Sequence, residues 1–257
     1  MLFGYPIWLI ALIGCGVFAA SFVDAIGGGG GIISVPVYLL AGLPTHLALG
    51  TNKMSAGIGT AVSTLRYLRR GFVDWMLALP SVALAVCGAY VGTTLQLMAD
   101  ERILKYLLLL VLPLAALALL RKKSLPEERG TISRRKQCAA VWGSSLVIGV
   151  YDGFYGPGTG TFLLLSYCAL GKLDVRTASG NVKLVNFSSN MGALTTSLLA
   201  GKVLVGVGLI AACFSIAGHY LGAGLAIKNG AKIVRPVILV VIALLLLRTA
   251  AELLGLL

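Results

Sequence analysis

A run of five glycines, Gly27 to Gly31, interrupts an apolar stretch that extends from Ile7 to Leu40, with one carboxylate, Asp24, just ahead of it. The construction recurs at Asp152, in YDGFYGPGTGTF (151–162). Each glycine weakens a helix by about 0.5–1 kcal/mol relative to alanine, so the run breaks one. The surroundings are membrane: 58% of the 257 residues are hydrophobic, 12% are charged, and the mean hydropathy is +0.94, whereas soluble domains carry about 25% charged residues. Long apolar runs recur along the chain, and the alternating ~10-residue segments of an outer-membrane barrel are missing. The expected fold is an all-α polytopic membrane protein. In such a protein a broken helix survives only where its freed backbone groups are buried in protein or line a wet cavity.

The net charge of +12 does not point to nucleic acid, because no basic stripe interleaves with aromatics. Seven basic residues fall between Arg121 and Lys136, and a loop that basic beside membrane spans reads as cytoplasmic, held near anionic lipid. No lysine or arginine precedes Lys53, so residues 2–22 are expected to be a retained first helix rather than a leader with a basic start. Cys15, Cys87, Cys138, Cys168 and Cys213 are scattered, with no CxxC pair, and read as packing residues. Neither a cofactor nor a metal site is indicated.

The chain divides into two related halves, 1–120 and 138–257, around a basic cytoplasmic linker, 121–137. Gly71, Gly88, Tyr90 and Gly92 match Gly201, Gly218, Tyr220 and Gly222 at an offset of 130, as Ala48, Gly50 and Lys53 match Ala178, Gly180 and Lys183. Asp24, Gly28 and Gly30 match Asp152, Gly156 and Gly158 at an offset of 128. Each half reads as five helical elements: 5–25, 32–41, 47–67, 73–97 and 103–120, then 138–154, 160–170, 177–199, 203–227 and 233–254. A span needs about 20 residues, so the second element of each half is a half-helix broken from the first at glycine.

Loop charges set the orientation. Arg66, Arg69 and Arg70 follow the third element of the first half, but only Lys202 follows that of the second. Lys172 and Arg176, then Lys228, Lys232 and Arg235, lie where the first half is poor in net positive charge. Basic loops face the cytoplasm, so equivalent loops lie on opposite sides, as in inverted repeats, with both termini outside.

The half-helices starting near Ile32 and Gly160 point partly positive N-termini at the breaks, which suits an anion. Lys53 and Lys183 lie about a turn into the third elements, with Asn52 and Asn181 beside them. Charges within a span cost at least ~2.5–3.5 kcal/mol and mark pathways or pairs. The candidate anion site therefore comprises Lys53, Lys183, Asn52, Asn181, the backbone of Gly28, Gly29, Gly30, Gly31, Gly156, Gly158 and Gly160, and the hydroxyls of Thr159 and Thr161. Asp24 and Asp152 are candidate proton carriers. The plainer alternative stays open for each charge: the lysines snorkel or pair with the aspartates, and the aspartates cap backbone N–H groups or pair with the lysines. His46 reads as interfacial, His219 as packed within a helix, and Trp8, Trp75 and Trp142 as an interfacial belt.

FVDAIGGGGGIISVPVYLLAGLPTHLALGTNKMSAGIGT and GVYDGFYGPGTGTFLLLSYCALGKLDVRTASGNVKLVNFSSN resemble the N- and C-terminal signatures of the TauE/SafE sulfite exporter family, also called the toluene-sulfonate uptake permease family. The resemblance covers nearly the whole chain. It implies a secondary carrier in the bacterial inner membrane, moving sulfite, sulfoacetate or other organosulfonates with the proton gradient. The expected partners are a small anion, protons and the bilayer, with a homodimer left open. A passive anion channel would use the same lysines and helix ends. An intramembrane aspartyl protease built on Asp24 and Asp152 lacks the companion GxGD motif. GPGTGT lacks the lysine of a phosphate-binding loop. The expected protein is a transporter, not an enzyme, working by alternating access between the two breaks.

Overall fold

A computed structural model describes residues 6–99 and 125–253; the expected fifth element of the first half, 103–120, lies outside them. The described residues form helices α1 (Ile7–Gly27), α2 (Gly31–Leu40), α3 (Thr45–Arg69), α4 (Trp75–Met98), α5 (Arg134–Phe154), α6 (Thr159–Ala169), α7 (Val175–Leu199), α8 (Val205–Asn229) and α9 (Ala231–Leu253). No strand occurs among them. The helices match the expected elements to within a few residues, and α5 starts at Arg134, inside the basic segment.

α1, α4 and α8 are long and apolar enough to cross a membrane, at 21, 24 and 25 residues, whereas α2 and α6 are short apolar helices of 10 and 11. Leu79, Leu95, Leu209 and Leu221 are exposed on the outer surface, as lipid-facing residues are. The α1–α2 break is made by Gly28 and Gly29 at φ +80° and +84°, and the α5–α6 break by Gly156 and Gly158 at +95° and +90°. Side chains with a Cβ rarely adopt that region.

α3 and α7 form the polar interior. Thr51, Ser55, Thr60 and Ser63 on α3 are buried, as are Asn181, Asn186, Ser189 and Asn190 on α7. Many of these groups are satisfied within their own helix: Thr60 Oγ1 donates to the Ala56 carbonyl at 2.7 Å and Asn190 Nδ2 to that of Asn186 at 2.8 Å. The two helices run antiparallel. Gly50 sits under the Lys202 carbonyl beyond the end of α7, Thr64 Oγ1 reaches the Lys183 carbonyl at 3.0 Å, and Gly180 sits under the Phe72 carbonyl beyond the end of α3.

Small residues seat the outer helices. A Cβ at Gly88 would lie 2.7 Å from the Leu146 carbonyl on α5, and one at Gly218 would lie 2.5 Å from the Phe18 carbonyl on α1. Gly92 meets the Val150 carbonyl, and Gly222 that of Phe22. α4 thus packs on α5 and α8 on α1, through contacts matched at the offsets seen in the sequence. Small residues allow such close approach in membranes.

The described part of the basic segment, from residue 125 on, docks on the protein itself through Arg129 and Arg134. Arg134 takes both oxygens of Asp74, at 3.0 and 3.2 Å, while Arg129 reaches Asp174 at 3.3 Å and Asp74 at 3.7 Å. Val175 N–H donates to the Pro126 carbonyl and Gly130 N–H to that of Lys172, both at 2.9 Å. The loops before α4 and α7 therefore share one end of the bundle with this segment. Trp8 and Trp75 are exposed as a belt requires, but Trp142 is half-buried, with its Nε1 donating to the Leu77 carbonyl at 3.2 Å.

Asp74 and Asp174 precede α4 and α7. Burial acts to raise both pKa values, but it is outweighed. Arg134, the Leu77 N–H and Arg129 hold Asp74 below the usual carboxylate value; Thr177 and Arg129 do the same for Asp174. A carboxyl depressed in the folded state stabilises fully above its unfolded pKa of about 4, and the contribution is lost as pH falls through the folded value. Asp174 Oδ1 also accepts the Thr177 N–H at 2.9 Å, capping α7. Asp174→Ala is expected to lower stability by about 1 kcal/mol near neutral pH, measured by thermal unfolding in detergent. The difference from the native protein should shrink below about pH 4; a difference independent of pH would contradict the assignment.

Candidate functional site

The two breaks touch. A Cβ on Gly160 would lie 2.9 Å from the Cα of Gly28, and one on Gly31 3.2 Å from the Cα of Pro157. Thr161 Oγ1 donates to the Gly27 carbonyl at 2.9 Å, tying the start of α6 to the end of α1. Each break also places an aspartate in the last turn of the helix before it.

Both aspartates are held by lysines from the other half. Lys53 on α3 pairs with Asp152 on α5 at 2.8 Å, and Lys183 on α7 pairs with Asp24 on α1 at 3.1 Å. Lys183 also donates to the Asp24 backbone carbonyl. The second carboxylate oxygens are occupied as well: Asp24 Oδ1 accepts the Gly30 N–H at 3.1 Å, and Asp152 Oδ2 accepts Ser189 Oγ at 2.7 Å. Asp24 thus lies where the N-terminus of α2 favours negative charge. Buried ion pairs hold when additional hydrogen bonds satisfy the remaining polar atoms, and the carboxylates of both pairs meet that condition.

A cavity of about 480 Å³, mouth included, opens at this junction. Of the residues expected from sequence, Asp24, Asp152, Lys53, Asn52, Gly29, Gly30, Gly31, Gly156, Thr159 and Gly160 line it. Lys183 does not line it and reaches the site through Asp24. Gly28 packs on Gly160, Gly158 starts α6 in the left-handed region, and Thr161 is spent on Gly27. Asn181 is fully buried off the cavity, with its Nδ2 on the Thr177 carbonyl at 2.8 Å.

Ser21, Ser34, Ser55, Asn186, Asn190 and His219 also line the cavity and were not among the expected site residues. Asn186 and Asn190 follow Lys183 at i+3 and i+7, a spacing that puts them on one helix face. Ser34 Oγ donates to Asn52 Oδ1 at 2.6 Å and so joins α2 to α3. His219, expected only to pack, is 1% exposed, and its Nε2 stands 3.8 Å from Asp24 Oδ2. His46 pairs with Gln96 at 2.6 Å, away from the cavity.

With both ion pairs intact and His219 neutral, the ionised groups balance, and a polar wall of hydroxyls, amides and glycine backbone remains. No group of three or more metal-ligating side chains occurs among the described residues.

Comparison with known proteins agrees with this architecture. Residues 12–249 match the family described as sulfite exporter TauE/SafE. A probable membrane transporter protein, ORF9, from Sinorhizobium sp is 35% identical over 247 residues, covering 95% of this chain and 93% of the relative. One from Haemophilus influenzae is 34% identical, covering 90% and 91%. The probable membrane transporter protein YfcA of Escherichia coli K12 is 31% identical, covering 88% and 84%. No solved structure matches. Family match, span-length apolar helices and buried ion pairs beside one interior cavity agree: the chain is a multi-pass membrane transporter of the sulfite exporter TauE/SafE family.

Proposed function

We propose that the protein is a secondary carrier of a small anion, sulfite or an organosulfonate, coupled to protons and working by alternating access in the bacterial inner membrane. The observation that carries this reading is the pair of crossed lysine–aspartate bridges at one cavity, where two broken helices meet. The balance of charge gives the coupling. An anion entering a balanced, low-dielectric cavity meets a high electrostatic cost. Protonating Asp152 releases Lys53, which lines the cavity, to hold the anion, and protonating Asp24 leaves the charge of Lys183 uncompensated behind the cavity wall, so proton and anion favour each other's binding, reciprocally. Lys53, Asn52 and the glycine backbone form the anion's contacts. Antiparallel α3 and α7, and the matched seams α4–α5 and α8–α1, support inverted repeats moving around a fixed site.

Purified protein in liposomes under an imposed pH gradient tests the reading with sulfite, sulfate, thiosulfate, taurine and sulfoacetate. Saturable uptake of one of these against its own gradient, lost when the pH gradient is collapsed, is expected. Flux that neither saturates nor responds to the pH gradient would assign a channel instead.

A further inference from the structure

The two bridges are equivalent in the repeat, but their neighbours are not. At the offset that matches Lys53 with Lys183, His219 falls on Ala89 and Ser189 on Gly59. Ser189 gives Asp152 a hydroxyl hydrogen bond. On the other side Gly59 has no side chain, and a Cβ there would lie 2.5 Å from the Cδ2 of His219. Serine and alanine have been exchanged for glycine and histidine, so an imidazole occupies space beside Asp24 that the Asp152 side fills otherwise.

The two oxygens facing Nε2 favour one tautomer of that imidazole. Thr60 Oγ1 spends its proton on the Ala56 carbonyl at 2.7 Å, so it meets Nε2, 3.5 Å away, as an acceptor. Asp24 Oδ2, 3.8 Å from Nε2, is an acceptor too. This arrangement favours the hydrogen of the neutral ring on Nε2, which leaves Nδ1 as a bare acceptor. Nδ1 is buried without a hydrogen-bond partner, in a residue that lines the cavity. The charged groups acting on the ring are Asp24 from α1 and Lys183 from α7. α3 faces it with Thr60 and Gly59, and α9 carries Lys232 and Arg235 near the α8–α9 turn.

An anion offers only acceptors. It satisfies Nδ1 only when that nitrogen bears a proton, and the proton on Nδ1 gains a partner only when the anion is present. We propose that His219 is the proton-binding anion ligand of the carrier: one proton enters on Nδ1 with each anion, and the imidazolium is held between the anion and Asp24. The step is a protonation, with no bond made or broken in the anion. The inference rests on the anion-carrier reading above and refines it, placing the coupling proton on His219 instead of on a carboxyl. The bridges then keep their geometry through loading, with Asp24 serving as counter-ion.

The test uses the full chain in detergent, with methanesulfonate and thiosulfate as probes, because neither titrates between pH 5 and 8. Proton uptake on binding is measured by calorimetry in buffers of different ionisation enthalpy. The native protein is expected to take up about one proton per anion at the upper end of the range, with affinity rising up to about tenfold per unit fall in pH. His219→Asn places a non-titrating amide near the Nδ1 position and is expected to bind without proton uptake and with a flat pH profile. His219→Gln is read in parallel, and thermal unfolding identifies which variant is folded. The chain has two histidines, so ¹⁵N-imidazole labelling of the native protein, assigned with His46→Gln, reads Nδ1 protonation on anion addition without any variant at the site. Proton uptake that persists in a folded position-219 variant, or an Nδ1 signal unmoved by bound anion, overturns the inference and leaves the carrier reading standing. Absence of binding of both anions by the native protein overturns the anion reading, and the inference with it.

Discussion

Lys53→Ala is expected to lower the stability of the protein by about 3–5 kcal/mol, read as a fall in Tm of roughly 2–4 °C for each kcal/mol in a chain of this size. The substitution strands Asp152, whose side chain is 3% exposed, with Ser189 as its remaining hydrogen-bond donor among the described residues. The cost is that of leaving a charge unpaired away from water. Lys53→Met combined with Asp152→Asn removes both charges at similar volume, and is expected to recover most of the loss. The double variant should still fail to accumulate anion in liposomes, because the cation that would hold it is gone. Equal Tm losses in single and double variants would show that the bridge does not hold the cavity together.

Gly28→Ala should be of comparable size for a different reason. The residue sits at φ +80°, and a Cβ there would run into the Gly160 and Thr161 backbone. Backbone cannot rotate aside as a side chain does, so overpacking of about 1–3 kcal/mol adds to roughly 1–2 kcal/mol of left-handed strain. Gly42→Ala is the control: φ is +85° there, but nothing lies within 4 Å of a new Cβ, so it should bear the strain alone. Thermal unfolding and size-exclusion profiles of the two variants measure the difference. Identical behaviour would mean that the crossing of the breaks contributes little.

Much of this architecture is legible in the sequence, because glycine runs, span-length apolar stretches and isolated charges have few alternatives in a membrane. Asp24, Asp152, Lys53 and Lys183 stand out for that reason. Which lysine meets which aspartate is not legible, since spacing along the chain does not say how the halves cross. The crossing also decides that Lys183 lies off the cavity and that Asn181 turns back on its own helix. His219 stays hidden because the repeat gives it no counterpart, and its meaning depends on space left by Gly59 in a distant helix. Asn186 and Asn190 carried a readable signal, their helical spacing from Lys183. The amphipathic ring of Trp142 alone suggests a belt position, whereas contact with α4 decides its place.

The crossed bridges have a consequence for biosynthesis. When the first half has left the ribosome, Asp24 and Lys53 are already made, but the residues that pair with them, Lys183 and Asp152, are still to come. α1 also lacks α8, whose Gly218 and Gly222 will fit its backbone. The first half is therefore a set of inserted helices whose interior charges lack their native partners, rather than a finished domain. Neutrality reaches Asp152 as it enters, because Lys53 precedes it, but reaches Asp24 only once α7 is in place. The order of assembly is written in the charge pattern, and a chain stopped short of Lys183 leaves Asp24 in the membrane interior without its lysine.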